Sequence, residues 1–70
     1  MKILFVSHSR NQTVITARID GDINNPTEYQ THLYNLDSGY TELWNTSYTF
    51  EEGAYMHKQL CQKCYITTNM

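Results

Sequence analysis

The sequence predicts an α+β fold: a four-stranded antiparallel sheet made of two hairpins, with one C-terminal helix packed on one face. Three observations carry this expectation. Residues 49–65, TFEEGAYMHKQLCQKCY, form the one stretch long and periodic enough for a helix with a marked start. Asp37-Ser38-Gly39 separates two strand-like runs with the chemistry of a hairpin loop. Ile15, Ala17 and Ile19 alternate with Val14, Thr16 and Arg18, the two-residue period of a strand with one drier side.

Taken in order, residues 2–8 predict a first strand, and Ile3, Leu4, Phe5 and Val6 make it apolar on both faces. Residues 13–20 predict a second, joined through a turn with Arg10-Asn11 at its centre, so that Leu4 and Val6 share a face with Ile15 and Ala17. Residues 20–27, DGDINNPT, are turn chemistry throughout: Gly21 admits positive φ, Asp and Asn favour local side-chain bonds, and Pro26 interrupts any ladder. Residues 28–36 and 40–48 flank the Asp-Ser-Gly loop. A three-residue loop there pairs Tyr34 with Glu42, His32 with Trp44, Leu33 with Leu43 and Thr31 with Asn45.

The helix is expected over 50–65. Thr49 followed by Glu52 is a capping-box spacing, and Glu51 and Glu52 in the first turn complement the helix dipole. Phe50, Gly53, Ala54, His57, Leu60, Cys61 and Cys64 fall on its inner stripe. Because several of these are small, the sheet face beneath should present large groups, and Tyr34, Trp44 and Tyr48 fit that need. This choice places Leu4, Val6, Ile15, Ala17 and Ile19 under the helix and leaves Ile3, Phe5, Val14, Leu33 and Leu43 on the uncovered face. Residues 66–70 would be a short tail or a last extended segment.

Seventy residues make a single small domain, 1–70, with a thin core. The formal charge is −2, and Lys2, Arg10, Arg18, Lys58 and Lys63 are scattered, so no concentrated field attracts a phosphate backbone; nucleic acid is not an expected partner. The apolar run at residues 3–6 is too short for a signal-peptide core or a membrane span, which points to a cytoplasmic protein without membrane association. Two cysteines there are expected to be reduced.

His57, Cys61 and Cys64 stand at i, i+4 and i+7 on one helical stripe, with side chains of the types zinc prefers; His8 or His32 could complete a set of four. Against zinc, a single Cys-x-x-Cys on a buried stripe ordinarily supplies core residues, so no metal or other cofactor is expected. A pair near a helix end also lacks the dipole that activates a thiolate. With no glycine-rich phosphate loop and no paired carboxylates, the chain does not read as an enzyme. Tyr29, Tyr34, Tyr40, Trp44 and Tyr48 could stack bases, yet acidic residues surround them, and core packing explains Tyr34 and Trp44 more simply.

In size, acidity and element content the chain resembles small phage-encoded inhibitors, some anti-CRISPR proteins among them; the likeness covers no motif. It implies a noncatalytic module that occupies a partner protein's surface, which the half-covered sheet also suggests. The expected contact residues are Ile3, Phe5, Val14, Leu33 and Leu43 on the uncovered face, with Asp20 and Asp22 in the acidic loop. The partner would be another protein or a second copy in a homodimer. The alternative is a small zinc- or nucleic-acid-binding regulator.

Overall fold

A computed structural model describes residues 1–67. Its elements follow the predicted order: β1 (Lys2–His8), β2 (Gln12–Ile19), β3 (Glu28–Asn35), β4 (Thr41–Ser47) and α1 (Phe50–Lys63). The strands form one antiparallel sheet in the order β1-β2-β3-β4, and α1 lies against all four. This is the expected α+β architecture. Residues 68–70 of the expected tail lie outside the described residues.

The β1–β2 turn closes where the sequence indicates, with the Ser9 N–H donating to the Gln12 carbonyl at 2.9 Å. Val6 then pairs with Ile15 and Phe5 with Thr16, as expected, but a bulge between Ile3 and Phe5 sets Ile3 opposite Ala17. The β3–β4 loop is one residue longer than its Asp-Ser-Gly signature suggests. Asn35 N–H donates to the Tyr40 carbonyl at 2.8 Å, and the Asn35 side-chain carbonyl accepts from Asp37 and Ser38 N–H, each at 3.1 Å. This Asx arrangement moves the strand pairs nearest the loop by one position, to Leu33–Glu42 and His32–Leu43. A second bulge absorbs the slip, so Thr31 still meets Asn45. Trp44 is the extra residue, and it packs against the core instead of facing His32.

The helix starts as its capping signal indicates: the Thr49 hydroxyl accepts from Glu52 N–H at 3.1 Å. It lies on the opposite sheet face from the one expected. Val14 is fully buried with Leu60, Cys61 and Ile66, and Leu33 and Trp44 pack against that cluster. Phe5 stacks at a tilt on Phe50 and His57, its ring centroid 5.6 Å from each. Phe5, Val14 and Leu33 are therefore under the helix, whereas Val6, Ile15 and Ile19 belong to the uncovered face. The large group facing small Gly53 is Tyr29, whose Cβ would lie 2.9 Å from any Cβ added there. Tyr34 shares the open face with His32, and Tyr48 is exposed.

Nor is Ile66 part of a loose tail. Ile66 N–H donates to the Cys61 carbonyl at 2.8 Å and Tyr65 N–H to Gln62 at 3.2 Å, with Tyr65 at φ 55. This is a Schellman closure, and it folds Ile66 back onto Leu60 and Cys61, leaving it 6% exposed. The left-handed position is normally glycine, because a Cβ there costs about 1–2 kcal/mol. Tyr65 is 95% exposed and loses little packing if removed. Tyr65→Gly should therefore stabilise the fold by about 0.5–1 kcal/mol, a rise of several degrees in Tm, measurable by thermal circular dichroism.

Candidate interaction surface

The space between sheet and helix is organised by a polar chain. His57 is fully buried at the middle of the α1 stripe. Its Nε2 is 2.9 Å from Ser7 Oγ and its Nδ1 is 2.8 Å from Thr16 Oγ1, which is in turn 3.0 Å from Thr31 Oγ1. A neutral imidazole offers one donor and one acceptor, and hydroxyls supply either, so the chain is satisfied in both directions. Among the described residues, no buried side-chain polar atom lacks a partner. Burial holds the His57 pKa below the ordinary histidine range.

Ser7 beside an imidazole has the components of an activated nucleophile, but both side chains lie between sheet and helix. Burial, with a smaller contribution from Cys64, raises the Cys61 thiol pKa, against which a hydrogen bond from Ser7 acts; burial also raises Cys64. Among the described residues no three histidine, cysteine or carboxylate side chains gather as a metal-holding group. His57 has both ring nitrogens engaged by hydroxyls, and His8 and His32 lie on the opposite face of the sheet from Cys61.

The acidic loop uses its carboxylates internally. Asp22 accepts from the N–H groups of Asn24 and Asn25 at 2.8 and 2.9 Å and from the Asn25 side chain at 3.2 Å. The backbone bond from Asn24, followed by the Asn25 side chain, lowers its pKa. Asp20 pairs with Arg18 at 2.9 Å. The aromatic residues share no platform: Tyr29 packs edge-on to Phe50, Trp44 joins the core, and Tyr40 and Tyr48 are exposed elsewhere. A groove of about 500 Å³ beside β1 is lined by Phe5, Phe50, Glu51, Ala54, Tyr55 and Lys58.

The second feature is the open sheet face. Cross-strand register places Val6, Ile15, His32 and Leu43 in one row, and Ile3, Ala17, Gln30 and Thr46 in the next. Ile3 and Val6 are each 53% exposed and Leu43 is 50% exposed. Ile19 extends the apolar strip along β2, and His32 stacks on Tyr34 at 6.3 Å. Of the residues expected at an interface, Ile3 and Leu43 are here; Phe5, Val14 and Leu33 are not. Val6, Ile15 and Ile19, expected under the helix because the alternation of residues 14–19 marks the isoleucine side as the drier one, are on this face instead. Among the described residues, Glu28 is the one lysine, arginine, aspartate or glutamate in register on this face.

These features define a two-layer α+β domain whose second sheet face is uncovered and carries Ile3, Val6, Ile15, Ile19 and Leu43. Compared with known proteins, the chain matches no family model, no curated protein and no solved structure. Among the described residues, no helix is long and apolar enough to cross a membrane.

The buried histidine makes the fold acid-sensitive. As pH falls below about 6.5, the unfolded chain takes up a proton at His57 that the folded chain resists until its lower pKa is reached. Stability from this group is thus present at neutral pH and declines on acidification, by up to about 1.4 kcal/mol per pH unit within that window. Urea melts from pH 7.5 to 5 should show this slope, and it should vanish in His57→Gln.

Proposed function

We propose that the protein is a noncatalytic interaction module that works by laying its open sheet face against a partner protein, as an inhibitor by occlusion does. One observation supports this most: the sheet turns Ser7, Thr16, Thr31 and Ser47 toward the helix and Ile3, Val6, Ile15, Ile19 and Leu43 away from it. The helix side also takes Phe5, Val14, Leu33 and Trp44, yet Ile3, Val6 and Leu43 leave half of their surface to water, and exposed apolar surface of this kind favours association. Removing such a surface from water contributes about 25 cal/mol per Å². The groove beside β1 carries Lys58 and Glu51 at its wall, so it ranks second as a contact surface.

A photoreactive phenylalanine analogue at position 43 should crosslink the partner in cells that express the protein. The double variant Val6→Lys, Leu43→Lys should lose partner capture while keeping its circular dichroism spectrum and Tm, because both side chains point away from the helix. Capture undiminished by the double variant would refute the assignment of this face.

A further inference from the structure

We propose that the open face is completed by a second copy of the chain, packed face to face about a two-fold axis that crosses the strands. This deepens, and rests on, the reading of that face as the interaction surface. The first argument is size. Strands of seven or eight residues, spaced about 4.8 Å apart and rising about 3.3 Å per residue, present a face of roughly 19 by 25 Å, or roughly 475 Å² in projection. Two such faces total roughly 950 Å² before side-chain corrugation is counted, the size of a weak, reversible interface below about 1,200 Å².

The second argument is charge. A two-fold interface sets residues near its axis against their own copies, so a charged centre would repel itself. Here the central rows, from Val6 to Leu43 and from Ile3 to Thr46, carry no lysine, arginine or carboxylate. With the axis across the strands, each strand lies over its own copy with its ends reversed, so the Ile19–Glu28 end of one face lies over the Thr13–Tyr34 end of the other, and the rim carboxylate of Glu28 meets the Tyr34 phenol and no second carboxylate. Both edge strands carry a bulge, which disfavours edge-to-edge growth and leaves face-to-face packing as the closed arrangement. Sheets packed in this way sit about 10 Å apart.

The test is sedimentation equilibrium of the full chain from about 5 µM to about 1 mM, the range that brackets a weak dimer. A reversible monomer–dimer equilibrium is expected, with a Kd of about 10–100 µM. Val6→Lys and Leu43→Lys should each weaken it at least about tenfold, as a buried charge does, with the circular dichroism spectrum unchanged. Glu51→Lys, on the helix and away from the open face, should leave it unaltered. Wild-type chain that stays monomeric to the highest concentration overturns the second copy, as does a dimer indifferent to both face substitutions. The same variants separate this from the broader reading: a monomer whose partner capture is lost in Val6→Lys, Leu43→Lys refutes only the homodimer, whereas unchanged dimer and unchanged capture refute both.

Discussion

The placement of His57 is the constraint on which the rest of the structure depends. An imidazole at the centre of the helix stripe has two nitrogens to satisfy, and burial removes water as the partner. The sheet must therefore present hydroxyls at the points where the ring touches it: Thr16 and Thr31 are directly paired across β2 and β3, and Ser7 on β1, opposite Val14, stands one row along. Apolar packing is pushed to either side of this chain. Val14, Leu33, Trp44, Leu60, Cys61 and Ile66 gather toward the C-terminal end of the helix, while Phe5, Phe50 and Tyr29 gather toward its start. A core divided in this way buries less hydrocarbon than one of its size could, and the isoleucines of β2 end on the other face.

The two bulges reconcile this polar core with the strand pattern. In β1, the extra residue lets Phe5 stay against the helix while Ile3 joins Ala17 on the open side. In β4, the extra residue frees Trp44 to pack on the core beside Leu33, and Leu43 takes its place opposite His32. Both bulges lie in edge strands, where the locally stronger twist also makes the free backbone a poorer template for another strand. Packing the helix side and protecting the edges are thus achieved by the same two residues.

The elements were legible in the sequence because local chemistry specifies them. Thr49 and Glu52 mark the helix start, Arg10-Asn11 and the Asp-Ser-Gly stretch mark turns, a period of two runs through residues 14–19, and a continuous apolar run marks residues 3–6. What was not legible is which face of the sheet the helix covers. Periodicity separates Val14 and Thr16 from Ile15 and Ala17 without saying which pair is inside, and the usual preference for burying the more apolar set points the wrong way here. The one hint was His57 on the inner stripe, whose need for hydroxyl partners could have nominated the Thr16–Thr31 face. The slip in the second hairpin came from Asn35, whose carboxamide competes for the loop N–H groups. Ile66 was missed because its closure needs a left-handed residue, and tyrosine gives no sign of one.

The same strand explains why the two faces are linked. β2 is central in the sheet, contributing Val14 and Thr16 to the core and Ile15, Ala17 and Ile19 to the open face. Its register is held from below by the bond between Thr16 and His57 and by the burial of Val14. A shift by one residue would bring isoleucines under the helix, which hydrophobicity alone would favour, but it would leave His57 Nδ1 without its hydroxyl and lose the Thr16–Thr31 bond. The polar chain thus selects the register that keeps the apolar strip outward. The histidine lies on the opposite side of the sheet from the open face, and its bonds hold the arrangement that keeps the isoleucines of β2 there.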